Sequence, residues 1–220
     1  MKKVALIHTV RQGYLSFADE IRRALPDVVV TNTLDDELAR EAVEDGISPH
    51  LNNRLFYACK LAESSGADLI VCACTSMIPI LDNVKPYLSV PIILIDDEMH
   101  RHAARAGSRV TIFATAESAL IPTVEKFKKT VLETSAGEKS IRTLVCPEAN
   151  QYMRAGDMET HDRMVLDAVR QIRDSDIVIL SQYSITHLSR EIEAICGCRV
   201  FGSGEYCIRE IAGILNGKES

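Results

Sequence analysis

Cys74, Thr75 and Ser76 follow directly on the buried-looking run in "ADLIVCACTSMIPIL", which spans residues 67–81. A thiol at a strand end that is also a helix start meets unpaired backbone N–H groups and the positive end of the helix dipole, which favour a thiolate. A thiolate is both base and nucleophile. Cys74 is therefore the first candidate catalytic residue, set against the plainer reading of a structural thiol packed in a core. His8 and Thr9 close another apolar run, Thr115 with Ser118 one turn on closes a third, and Gln182, Tyr183 and Ser184 follow Ser181 at a fourth. Small hydroxyls at helix starts suit an anion, so Thr9, Thr75, Ser76, Thr115, Ser118, Gln182, Tyr183 and Ser184 are expected to hold a small carboxylate or dicarboxylate. Each hydroxyl alone is equally well explained as a helix N-cap. His8 reads as a proton donor or carboxylate anchor, or as a strand-end histidine bonded to a nearby loop. Asp96 ends a further strand, or caps the helix beginning near Asp97. His161 and Asp162 open a helix after "GDMET", where capping by Thr160 or Asp162 accounts for much of the pattern.

Placing these residues requires strands whose ends converge. Short β-branched runs at 4–7, 28–31, 69–72 and 92–95, then at 110–113, 141–146, 177–180 and 200–201, alternate with amphipathic stretches such as "FADEIRRAL", "LNNRLFYACKLAESSG" and "HDRMVLDAVRQIRDSD". That alternation predicts an α/β fold with parallel sheets, the strands nearly continuous in apolar character because helices cover both faces. An internal repeat sharpens the expectation. Displaced by 108 residues, "DLIVCACTSM" from Asp68 falls without a gap on "DIVILSQYSI" from Asp176, and a displacement of 106 lays "VALIHT" on "VTIFAT", Thr9 meeting Thr115. The inference is two halves related by a pseudo-two-fold axis, with lobe 1 over 1–97, lobe 2 over 98–203, and a last helix within 204–220 that returns to lobe 1. Ligands of open parallel sheets lie outside the carboxyl ends of the strands, so a site is expected between the lobes.

Composition narrows the function classes. A chain of 220 residues, 46% apolar and 25% charged, can bury a real core. A formal net charge of −6 without clustered Lys and Arg argues against nucleic acid. No segment is apolar over the roughly 18 residues a membrane span needs, and "MKKVALIHTV" reads as a buried first strand rather than a secretory leader. The expected setting is therefore cytoplasmic, with the seven cysteines reduced. Cys72/Cys74 and Cys196/Cys198 are CxC pairs whose spacing does not fit a zinc site, and His100 and His102 point to different sides of a helix, so no metal is expected. Cys59, Cys72, Cys146, Cys196, Cys198 and Cys207 read as core thiols. Association into a homo-oligomer is left open.

The motifs "LIHTV", "LDDEL", "ADLIVCACTSM", "IDDEM", "VTIFATAES", "GDMETHD" and "LSQYS", in this order over almost the whole chain, resemble the aspartate/glutamate racemase superfamily, which includes hydantoin racemases, maleate isomerases and arylmalonate decarboxylase. The resemblance implies two pseudo-symmetric flavodoxin-like lobes, each a four-stranded parallel sheet flanked by helices, an active site at their interface, no cofactor, and two cysteines flanking the substrate carbon. Cys74 matches the first cysteine, but Gln182 occupies the symmetric position. An amide neither gives nor takes a proton usefully near neutral pH, so two-thiol racemisation as in the parent enzymes is not expected. Gln182 is better cast as a donor to a substrate oxygen, with Tyr183, His8 or His161 as substitutes for the second acid. The expected activity is cofactor-independent proton transfer next to a carboxylate, of racemase, isomerase or decarboxylase type, with hydrolysis through a nucleophilic thiolate also open. The alternative is a silent carboxylate-binding or sensor protein of the same fold.

Overall fold

A computed structural model of the chain describes residues 1–11, 13–44 and 46–217, so the last three residues of the segment expected to complete lobe 1 lie outside the described residues. The chain forms two compact units, one of Met1–Asp97 with the segment from Gly204 onward, the other of Glu98–Ser203. In the first unit β1 (Lys2–His8), α1 (Tyr14–Ala24), β2 (Val28–Leu34), α2 (Glu37–Glu44), α3 (Pro49–Ser64), β3 (Leu69–Cys72), α4 (Ile78–Val84) and β4 (Ile92–Leu94) follow in order. Short 3₁₀ turns at Thr75–Met77 and Lys85–Tyr87 flank α4. From α5 (Asp97–Ala106) the chain enters the second unit, with β5 (Arg109–Ala114), α6 (Glu117–Glu133), β6 (Ser140–Val145), α7 (Pro147–Ala155), α8 (Met158–Val169), β7 (Ile177–Leu180), a 3₁₀ turn at Tyr183–Leu188, α9 (Ser189–Cys196) and β8 (Arg199–Phe201). The final helix, α10 (Ser203–Leu215), belongs to the first unit from Gly204 on.

Both sheets are parallel, ordered β2-β1-β3-β4 and β6-β5-β7-β8, the same order displaced by four strands. The fold is thus the expected α/β architecture, and the duplication extends to individual hydrogen bonds. Asp68 N–H donates to Lys3 O and Asp176 N–H to Arg109 O, each at 2.8 Å. In return Asp68 Oδ2 accepts Lys3 N–H and Asp176 Oδ2 accepts Arg109 N–H, again at 2.8 Å. At the other end of the same strands Ala73 N–H reaches Ile7 O and Ser181 N–H reaches Phe113 O, both at 2.9 Å. An Asp starting β3 or β7 therefore clamps the start of the central strand, and register carries that alignment to the carboxyl ends.

The central strands β3 and β7 are fully buried, whereas β2 and β6 keep exposed and half-buried residues along their length. Strands covered on both faces throughout were expected; the edge strands β2 and β6 depart from this, while the opposite edge strand β4 is buried along its length. Helices cover the sheets through stripes at helical spacing: Leu51, Leu55, Cys59 and Ala62 on α3, and His161, Val165 and Val169 on α8. Ile7, Ile70, Cys72, Met77 and Ile80 join the first core, and Phe113, Val178, Leu180, Ile185 and Ile192 join the second. Among the described residues no helix is long and apolar enough to cross a membrane.

Asp176 offers a pH-dependent check on this frame. Hydrogen bonds from the Arg109 side chain, then from the backbone of Arg109 and Ser108, hold its carboxyl down at about 2. A carboxyl with a lowered folded pKa stabilises the protein above its unfolded titration range, and the contribution is lost as pH falls through the folded value. Asp176→Asn is expected to lower the urea midpoint by a constant amount above about pH 5, the difference narrowing towards about pH 2. A difference that stays constant into acid would exclude this ionic clamp.

Candidate active site

Cys74 directly follows Cys72-Ala73 at the end of β3 and is the residue before the 3₁₀ turn at Thr75–Met77, with extended backbone at φ −144° and ψ 118°. Gln182 stands in the same place after β7, with φ −132° and ψ 135°. The repeat thus predicts the local backbone as well as the alignment. The expected helix start is, in both places, a 3₁₀ turn rather than a long helix.

The Cys74 thiol is contacted by the Thr9 hydroxyl and by the backbone N–H and hydroxyl of Ser76, all of which favour its ionised form. Burial outweighs them and pushes the thiol above its ordinary value, with the Asp96 carboxylate adding to the rise. The expectation of an acidified thiol is overturned: one 3₁₀ turn and three weak donors do not offset removal from water. The Thr9 hydroxyl is fully buried and has no oxygen or nitrogen partner, so its contact with the thiol stands alone. The Thr75 hydroxyl donates to Asp96 Oδ2 at 3.0 Å, which fixes both residues beneath the strand end. The neighbouring Asp97 turns back on β4, its Oδ2 accepting Leu94 N–H at 3.0 Å.

His8 is 3% exposed and donates Nε2–H to Asn32 Oδ1 at 3.1 Å, while its ring lies 5.2 Å from that of Tyr14. Burial lowers its pKa, partly countered by the Asn32 bond. The bond runs to the neighbouring strand β2 rather than to a loop. Asn32, within the adjacent strand β2, and Tyr14 escaped the sequence reading.

In the second unit Gln182 Oε1 accepts both Thr115 N–H at 2.7 Å and Thr115 Oγ1–H at 3.1 Å. The amide is thereby oriented, its NH₂ end left as the donor. Ser118 is half-buried in the first turn of α6, and Tyr183 and Ser184 are half-buried in the 3₁₀ turn. Cys74, Ala116 and Gln182, which stand at the cap positions of these turns, make no side-chain cap bond.

His161 is fully buried on the first turn of α8. Its Nδ1–H donates to Asp162 Oδ1 at 2.7 Å, and Asp162 Oδ2 accepts His187 Nε2–H at 3.0 Å. The cap of α8 is Asp157, which accepts Thr160 N–H at 3.0 Å, and not Thr160 or Asp162 as expected. An acidic residue one turn earlier took that role, leaving Asp162 to bridge two histidines. His187 was missed because its partner lies 25 residues away in sequence.

The other cysteines divide. Cys59, Cys72, Cys146 and Cys207 are buried, whereas Cys196 and Cys198 are half-buried at the margin of the second core, a correction to their reading as core thiols. Burial, first among the causes, lifts Cys59 to about 12 and Cys196 to about 11. Among the described residues no group of three His, Cys, Asp or Glu side chains is arranged to hold a metal ion. His100 is buried on α5 while the exposed His102 Nε2 pairs with Glu98 at 2.9 Å, so the two diverge as their spacing predicts.

Residues 15–211 match the family model described as Asp/Glu/hydantoin racemase. Among solved structures the chain is similar to a glutamate racemase isoform from Bacillus anthracis, at 20% identity over 99% of this chain and 82% of that one, with a TM-score of 0.77. It is similar to the aspartate racemase of Picrophilus torridus at 15% identity over 98% and 95% of the two chains, with a TM-score of 0.76. For the allantoin racemase of Klebsiella pneumoniae the values are 13%, 98%, 88% and 0.64. At these identities the likeness is one of fold. No curated protein matches the sequence.

Proposed function

The chain belongs to the Asp/Glu/hydantoin racemase family, and from that premise we propose that it moves a proton at the carbon next to the carboxylate of a small acid, using Cys74 and no cofactor. The observation that carries this reading is the Cys74 thiol at its strand end, supplied with donors by Thr9 and Ser76. A thiol raised by burial holds its proton until a base or the substrate's developing charge draws on it, which suits an acid that protonates a carbanion. The Gln182 amide, pinned by Thr115, donates to the carboxylate as it takes up the charge of the enediolate, and Ser118 and Ser184 belong to the same cradle. Donors held in place before charge develops are worth most where water is excluded.

The names of the structural neighbours set the first panel: both enantiomers of aspartate, glutamate and allantoin, extended by malonate and succinate. In D₂O the enzyme is expected to exchange the hydrogen on the carbon next to the carboxylate, or on the ring carbon of allantoin, for at least one member, as read by proton NMR. Binding of a dicarboxylate with no exchange and no other conversion anywhere in the panel would favour the second reading, a silent carboxylate binder, for which the non-titrating Gln182 is the supporting observation.

A further inference from the structure

We propose that His161 is the second acid/base of this reaction, exchanging the substrate proton at Nε2 and taking over the task that a thiol at position 182 would perform, with Asp162 as its positioning residue. The inference rests on the proton-transfer reading above. Its first support is an anomaly of burial: His161 is 0% exposed, and its Nε2 has no hydrogen-bond partner. Buried polar atoms are almost always satisfied, so one left open calls for a reason. The plainer reading of a core histidine on an apolar face explains Val165 and Val169 below it but leaves that nitrogen unexplained.

The second support is the tautomer. Donation of Nδ1–H to Asp162 leaves the lone pair of the neutral ring on Nε2, the arrangement in which a carboxylate orients an imidazole for proton transfer. Asp162 is itself held from the far side by His187, so the carboxylate cannot swing away. The third is placement within the second unit. A helix that connects parallel strands runs antiparallel to them, and its first turn therefore stands at their carboxyl ends. His161 is on the first turn of α8, which leads into β7, and Gln182 and Thr115 are at the carboxyl ends of β7 and β5. The Asp162–His187 bond ties that first turn to the 3₁₀ turn Tyr183–Leu188, whose preceding residue is Gln182.

The step balances without a co-reactant. His161 takes the hydrogen at Nε2 as a proton while the C–H electron pair passes into the enediolate, and the Cys74 thiol, the acid of the reading above, returns a proton to that carbon. The enzyme is left as imidazolium and thiolate, the form that processes the other enantiomer, and one proton exchanged through water restores the starting form.

The two enantiomers separate the two groups. With D- and L-aspartate and D- and L-glutamate in D₂O, wild-type enzyme is expected to exchange both enantiomers of its substrate. His161→Gln is expected to lose racemisation about 100-fold or more, and to lose wash-in of deuterium from one enantiomer only, with Cys74→Ala losing it from the other. Asp162→Asn should show the His161 pattern in weaker form, about tenfold. Equal loss for both enantiomers in His161→Gln, no loss, or the same asymmetry produced instead by Tyr183→Phe or Cys146→Ala overturns the inference. A second arm needs neither turnover nor a stable variant: ring NMR of histidine-labelled wild-type protein titrated with malonate. The His161 resonances are expected to shift with saturation while those of His102 stay in place. An unmoved His161 overturns the proposal even in an active enzyme, whereas a shift without exchange in any substrate faults the proton-transfer reading and withdraws the catalytic role with it.

Discussion

Cys74→Ala is expected to lower racemisation or isomerisation of any substrate by ~10³-fold or more while leaving the fold intact. The side chain is half-buried at a strand end and packs against the first core, so its loss removes the reacting group at a small expense in stability. Cys72→Ala is the informative control. That thiol is fully buried and held well above its ordinary pKa, burial being the first cause; its loss leaves a small cavity and reduces stability, with kcat retained. The pH dependence of labelling carries the sign of the effect at Cys74. Because burial raises the thiol, alkylation by iodoacetamide is expected to climb about tenfold per pH unit from neutrality with no plateau below about pH 9. A bound carboxylate should suppress the labelling by covering the thiol. Full activity in Cys74→Ala, or a labelling plateau near neutrality, contradicts this account.

The largest expected effect on stability is that of Phe113→Ala, about 3–5 kcal/mol by urea denaturation. Phe113 is fully buried on the central strand β5 and pairs in register with Leu144 of β6 and Leu180 of β7. Removal of a ring from such a position deletes its contacts and leaves a cavity that paired strands cannot close. The same residue's carbonyl accepts Ser181 N–H at 2.9 Å, one residue before Gln182. A loosened strand should therefore also weaken the Thr115–Gln182 hydrogen bonds, so carboxylate affinity is expected to fall in the folded variant. A loss of 1 kcal/mol or less would mean that the second core repacks around the gap.

The parts of the fold that could be read from the sequence are those governed by short-range chemistry repeated in register. β3 and β7 announced themselves because both faces are covered and every residue is apolar; the extended backbones of Cys74 and Gln182 followed from the 108-residue displacement. The edges of β2 and β6 were harder to read, since an exposed strand half loses the apolar signal. The direction of the Cys74 pKa was not legible, because the helix-start argument names the stabilising donors while the burial that opposes them is a property of the packed structure. The Asp162–His187 bond and the role of Asn32 beside His8 were hidden for a related reason: each joins elements whose proximity follows only from the finished sheet order. Asp157 could have been found, since an Asp three residues before a Thr at the start of an amphipathic run is an ordinary capping signal.

The carboxylates of Asp68 and Asp176 clamp the opening step of each central ladder, at the end remote from Cys74 and Gln182. This separation has a consequence for protein engineering. Positions 74 and 182 inherit their height above the sheet from bonds that no substitution there can disturb, so the two can be randomised together as a library in which chemistry varies upon an unvarying chassis.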